Sequence, residues 1–288
     1  MKAEYQEVLT SFDLERIDDN LFRSRSPNFG WKRIYGGLLI AHALKAAELT
    51  IEDLNRKVNS LHGYFIRPGS TSEPLTLSVE HLLDGRTISN RRITILQDNK
   101  TVFTAQCSFR TQMSGFVHQP AFPVATDPEC LKNDAEIADE NEGLLAESTL
   151  KYLRRKKIFE LRPVNPEEFL RPHPDNMFQG LTWVKLRSGD KQPHEHTDAL
   201  MGYLSDMTVL NASLPPHGRN FFDPEMIMAS LDHTIWFHKR TDWTDWILLS
   251  HEAMGNDGGM GLGRVNIFSR SGDLLATVMQ QGLIRLHN

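Results

Sequence analysis

The spacing of apolar positions changes character along the first hundred residues. From about Tyr35 to Thr50, behind an opening Gly36-Gly37, the residues Leu38, Leu39, Ala41, Ala43, Leu44, Ala46, Ala47 and Leu49 are apolar almost all round. That pattern predicts a helix buried on every side, not one laid on a surface. The next stretch, Val58 to Arg67, stops at the turn signal Arg67-Pro68-Gly69. From Leu75 to Leu83 the chain alternates, with Leu75, Leu77 and Val79 on one face and Thr76, Ser78 and Glu80 on the other, the period of a half-buried strand. Asp84-Gly85 reads as a hairpin turn. Strands are predicted at about Thr87–Gln97 and Thr101–Arg110, the latter with Phe103, Ala105, Cys107 and Phe109 in phase. One buried helix followed by an antiparallel meander is an α+β unit.

The second half repeats this order. Ala199 to Ala212 is a largely apolar helix with Met201-Gly202 in place of Gly36-Gly37. Asp232–His238 matches Leu61–Arg67 in type, with Phe237 opposite Phe65, and Trp246–Ala253 matches the Leu75 strand. Arg264–Ile267 matches Arg92–Ile95, and Leu274–Arg285 matches the strand at Thr101. The offset is about 172 residues through the strands and less at the helix, so an insertion is expected around Leu214-Pro215-Pro216-His217-Gly218. Between the copies the chain is rich in Pro, Asp, Glu and Asn and carries Arg154-Arg155-Lys156-Lys157. It reads as a linker with solvated charges. The expected organisation is an N-terminal unit at 1–115, a linker at 116–175 and a C-terminal unit at 176–288.

Comparing the copies isolates three differences. Matching the helices by their glycines sets Asp206 opposite Ala41, and matching the strands by Phe65 and Phe237 sets Ser230 opposite Val58. Allowing a one-residue gap, Gln280 falls opposite Cys107. Burying a polar side chain without partners costs roughly 2–7 kcal/mol, and Asp is a poor residue for a helix interior. Three such residues on facing elements would satisfy one another and hold a water. An Asp takes the proton of that water, while Ser and Gln donate or accept to aim it, assistance worth about 10²–10⁴ in rate. The backbone N–H groups near Gly202, read as a helix N-terminus, are the expected holders of a developing oxyanion.

Composition narrows the alternatives. The formal charge of −5 and pI of about 6.2 argue against a nucleic-acid partner. Two cysteines, Cys107 and Cys130, at no metal-ligand spacing fit a reducing compartment. No apolar run reaches the length of a membrane span, so a cytoplasmic protein without membrane partners is expected. There is no Gly-x-Ser-x-Gly nucleophile elbow. Gly259-Met260-Gly261-Leu262-Gly263 precedes a strand and reads as a permissive hairpin, not a phosphate loop. His194-Glu195-His196 with Asp198 reads as a solvated loop, not a metal site, so neither a metal nor a cofactor is expected.

Several motifs together resemble the acyl-CoA thioesterase II family over about Leu14 to Asn288. They are Tyr35-Gly36-Gly37, His62–Gly69, Asp84-Gly85-Arg86, Asp232–His238 and the ending Gln280–Arg285. The resemblance implies an α+β tandem double hotdog, each copy a long central helix wrapped by an antiparallel sheet. It also implies hydrolysis of fatty acyl-CoA to free fatty acid and coenzyme A by a water held among Asp206, Ser230 and Gln280, in a homo-oligomer (dimer or tetramer). This chain departs from the family pattern with Ser230 where Thr is common and Leu38 where Gln is usual. A non-catalytic acyl-CoA binder or sensor is the alternative. A hydratase on a similar fold is disfavoured because Asp-x-Asn-x-x-His is absent.

Overall fold

The computed structural model describes residues 2–28, 32–155, 157–172, 179–187 and 196–287. A helix α1 (Lys2–Ser11) and short strands β1 (Glu15–Asp18) and β2 (Leu21–Ser24) precede the first long helix, α2 (Gly36–Glu48). The meander follows as β3 (Lys57–Phe65), β4 (Leu75–Asp84), β5 (Ile88–Gln97) and β6 (Lys100–Arg110). Helix α2 buries ten residues between Gly37 and Ala47, the all-round burial that its pattern predicts.

The intervening segment differs from the expected solvated linker. It folds into α3 (Asp134–Glu140), α4 (Glu147–Leu153), β7 (Phe159–Pro163) and α5 (Pro166–Leu170). The first of these helices starts at a capping box between Asn133 and Glu136. Ile137, Ala138, Leu150, Leu153 and Leu170 form a small core of their own, and β7 pairs with β8 (Gln179–Leu186) in the main sheet. Its charges are largely paired: Arg154 holds Asp139 and Glu142, and Lys157 holds the buried Asp134. Charge density concealed apolar residues spaced to bury a face.

With β7 and β8, the second copy comprises α6 (Thr197–Ser205), β9 (Met226–Ser230), β10 (Asp232–Phe237), β11 (Ile247–Asp257), β12 (Met260–Ser269) and β13 (Leu274–Leu286). Among the described residues the strands form one sheet in the order β1-β2-β4-β5-β6-β3-β10-β13-β12-β11-β8-β7, with β9 also on β13. Each copy contributes the same order, and antiparallel pairing of β3 with β10, as at His62 with Thr234, joins them. The sheet wraps α2 and α6, which pack on each other at glycines. A Cβ on Gly37 would lie 2.3 Å from the Tyr203 carbonyl oxygen, and one on Gly202 2.5 Å from Leu44 Cδ1.

The registers specify which residues correspond. Pairing shifts between Ile95 and Leu96 on β5 and between Ile267 and Phe268 on β12, 172 residues later. The following hairpin turns through Asp98-Asn99 in the first copy, both at positive φ, between the paired Gln97 and Lys100. In the second it turns through Arg270-Ser271-Gly272, between Ser269 and Asp273, whose backbone N–H and carbonyl bond at 2.8 Å. One added turn residue thus produces the gap needed to set Gln280 opposite Cys107.

Helix α6 is shorter than the predicted Ala199–Ala212. It stops at Ser205, and after a turn the chain makes 3-10 turns at Leu210–Ser213 and Pro215–His217. Gly263 permits that departure, since a Cβ there would lie 2.2 Å from the Val209 carbonyl oxygen. The glycine run around Met260 therefore does two jobs. Gly258 and Gly259 turn the hairpin at positive φ, and Gly263 lets the chain after α6 close on the sheet.

Candidate active site

Asp206 is the residue that ends α6, not one of its interior positions. The negative end of a helix disfavours a carboxylate, and the protein compensates with groups from elsewhere. Asp206 meets the start of α2 in the other copy, where the Gly37 N–H and the Gln280 side chain favour its charged form. Burial outweighs both and pushes its pKa up to about 7. Its Oδ1 is buried without a hydrogen-bond partner. A Cβ on Gly36 would lie 2.7 Å from Oδ2, so the close approach depends on that glycine.

Gln280, on β13, is 1 % exposed. Its Nε2 donates to Ser230 Oγ at 2.8 Å, and its Oε1 lies 2.5 Å from His233 Nδ1. His233 is fully buried, and its Nε2 lies 2.9 Å from Ser205 Oγ. Burial lowers its pKa to about 4, so the ring is neutral near pH 7. Ser230 is placed where β9 meets β13, opposite Gly282. In the first copy Val58 is opposite Phe109 in the same manner.

All three predicted residues line one cavity of about 420 Å³. The first copy contributes Tyr35, Gly36 and Leu38 to its wall, and the segment before β7 contributes Tyr152, Arg155 and Lys157. Tyr35 donates its hydroxyl to the Tyr203 carbonyl at 2.9 Å. Burial, with the Asp206 charge second, raises the Tyr35 pKa well above its usual value. A smaller pocket of about 100 Å³ shares Tyr152, Met207, Asn211 and Phe221 and reaches His251.

The oxyanion expectation at Gly202 fails. Gly202 is the sixth residue of α6, past the first turn whose N–H groups are free to bind a ligand. The helix N-terminus at the site is that of α2. His233, Ser205, Gly36 and the segment before β7 were all missed in the sequence. His233 had left a signal: the offset that places Ser230 opposite Val58 places it opposite Leu61, again polar for apolar. Of the weighed metal motif, His194 and Glu195 lie outside the described residues, and Asp198 is engaged by Arg240 at 2.9 Å.

Two helices packed on each other and wrapped by one antiparallel sheet, one helix and one half-sheet per copy, define the double-hotdog fold. A family model described as acyl-CoA thioesterase matches residues 154–283, and one described as acyl-CoA thioesterase N-terminal domain matches 22–110. The chain is 33% identical to acyl-CoA thioesterase 2 of Haemophilus influenzae over 94% of each chain. It is 32% identical to human acyl-coenzyme A thioesterase 8, covering 97% of this chain and 89% of that one. The crystal structure of acyl-CoA thioesterase II TesB2 from Mycobacterium marinum superposes with a TM-score of 0.78 at 29% identity, over 99% of both chains. The chain belongs to the acyl-CoA thioesterase family.

Proposed function

We propose that the second copy hydrolyses fatty acyl-CoA to free fatty acid and coenzyme A, with Asp206, Ser230 and Gln280 holding the attacking water. The observation that carries this is geometric: Asp206, with its Oδ1 buried, and the paired Gln280 amide and Ser230 hydroxyl line one cavity of about 420 Å³. Burial pushes the Asp206 pKa up to about 7. A base of that strength is partly ionised at neutral pH and still takes a proton readily. Asp206 removes a proton from the water as its oxygen bonds to the thioester carbonyl carbon. Collapse of the tetrahedral intermediate breaks the C–S bond, and the proton held by Asp206 goes to the departing thiolate. No side chain is acylated.

The acyl chain runs along Met207, Leu210 and Phe221 towards the smaller pocket, so the segment before β7 helps to bound its length. Buried Cys107 and exposed Cys130, both free thiols, fit the cytoplasm, and a homo-oligomer completes the proposal. Among the described residues no helix is long and apolar enough to cross a membrane.

The test is thiol release from acyl-CoA by Asp206→Asn, checked for folding by circular dichroism. Release should fall by about 10²–10⁴. Retained turnover removes the mechanism. Tight acyl-CoA binding by the wild type with no thiol released would instead identify a binder or sensor.

A further inference from the structure

Resting on that assignment of the water site, we propose that His233 is a positioning residue that fixes which way round the Gln280 amide lies, with Ser205 setting its tautomer. Four groups form an unbroken chain, buried from Ser205 to Gln280: Ser205 Oγ to His233 Nε2 at 2.9 Å, His233 Nδ1 to Gln280 Oε1 at 2.5 Å, and Gln280 Nε2 to the half-buried Ser230 Oγ at 2.8 Å. Asp206 lies beyond the amide and is favoured in its charged form by it.

A neutral imidazole has one N–H and one bare nitrogen, and an amide has one donor end and one acceptor end. Only two arrangements therefore satisfy the chain. In the first, Ser205 donates to Nε2, Nδ1–H donates to Oε1, and the amide NH₂ faces Ser230 and Asp206. In the second, Ser205 donates to the Gly202 carbonyl, which lies 2.8 Å away, and Nε2–H donates to Ser205. The amide is then reversed, setting Oε1 against the Asp206 carboxylate. The first leaves Ser205 Oγ 2.8 Å from the Gly202 carbonyl oxygen with no hydrogen between these two neutral groups. The second sets an acceptor against a full carboxylate charge, the larger cost, so an ionised Asp206 favours the first arrangement. His233 supplies the N–H that holds it, and Gln280 can then aim the water that Asp206 deprotonates.

The first copy places Leu61 at the matching position, opposite Cys107, which needs no orientation. That supplies the substitution. His233→Leu is expected to keep the fold, lower kcat by about 10- to 100-fold, in the range of a small misplacement at a reacting centre, and leave KM within about twofold. His233→Asn, whose amide can donate to Oε1 from the same place, should recover most of the loss. In a Gln280→Ala background, His233→Leu should lower kcat by less than about twofold more, because its effect runs through the amide.

A folded His233→Leu enzyme with unchanged kcat, losses that multiply in the double variant, or an Asn variant no better than Leu would each overturn the proposal. If the Leu variant does not fold, Ser205→Ala carries the test: kcat should fall several-fold at constant KM, and an unchanged kcat overturns it. Asp206→Asn run alongside separates the two levels. Turnover retained there removes the water site itself, whereas its loss with His233 inert removes only the positioning role.

Discussion

Around Cys107 in the first copy stand Leu61 on β3 and Arg91 on β5; around Gln280 in the second stand His233 on β10 and Gly263 on β12. The strands and their irregularities correspond, yet the contents are opposed. Arg91 is 2 % exposed and is held by Thr50, just past α2, and by Asp84 at 2.9 Å. That bonded arginine fills the space in which the second copy has no side chain at all. There the chain after α6 comes down on Gly263 and Asp206 lies at the end of its helix. On the proposed assignment, the second copy takes bulk out at Gly263 as well as putting polar groups in at Asp206, Ser230 and Gln280. The first copy is also more than scaffold, since its Gly36 and Gly37 receive the carboxylate of the second.

The strongest way to test this division is to alter the first copy alone. Gly36→Ala adds a methyl 2.7 Å from Asp206 Oδ2 and 2.9 Å from the Phe65 ring. It should cost about 100-fold in kcat, with acyl-CoA still bound; steady-state kinetics with a binding titration would show it. An unaffected rate would return the first copy to the role of scaffold.

A second measurement uses pH, which only the second copy should sense through this position, Ala41 being its counterpart. The kcat/KM profile should fall about tenfold per unit below about pH 7 as Asp206 takes up its proton. Stability follows the same group with opposite consequence. The folded-state pKa is raised from 3.8 to about 7, so the stability given by the neutral carboxyl is complete below about pH 4 and is lost as the pH rises through about 7. Asp206→Asn stays neutral. It should match the wild type at acid pH and exceed it at pH 8 by up to about 4 kcal/mol, at about 1.36 kcal/mol per pKa unit. Chemical denaturation at the two pH values measures this, and an unchanged or lower stability at pH 8 would contradict the buried-base assignment.

The smallest effect is expected at Ser230. Ser230→Thr keeps the hydroxyl that receives the Gln280 N–H, so kcat should stay within about threefold, whereas Ser230→Ala leaves that donor unmatched and should cost more, about tenfold. Equal losses in both would mean that the added methyl, and not the hydroxyl, governs the position.

How much could be read beforehand differs from element to element. The strands from Leu75 to Arg110 and their counterparts from Ile247 to Leu286 follow the alternation closely, because a period of two is imposed by local backbone geometry. The end of α6 was not legible: the apolar run continues to Ala212, and the glycine that leaves room for the chain to depart from the helix is on a strand more than fifty residues later. The folded segment before β8 was hidden for a related reason. Its charges looked solvated, and only the assembled sheet edge shows that β7 has a partner.

By itself the sequence determined the duplication, the antiparallel α+β architecture, and the three positions at which one copy becomes polar, since each is recorded in local periodicity or in one copy set against the other. Tertiary structure alone decided that Asp206 sits where a helix of one copy ends and a helix of the other begins, and that a buried histidine stands behind Gln280. It also decided that the oxyanion expectation at Gly202 was misplaced. Local pattern carries the period of an element. Which groups share a cavity, and therefore which carboxyl is pushed towards neutrality, depends on contacts between residues some 170 positions apart in the chain.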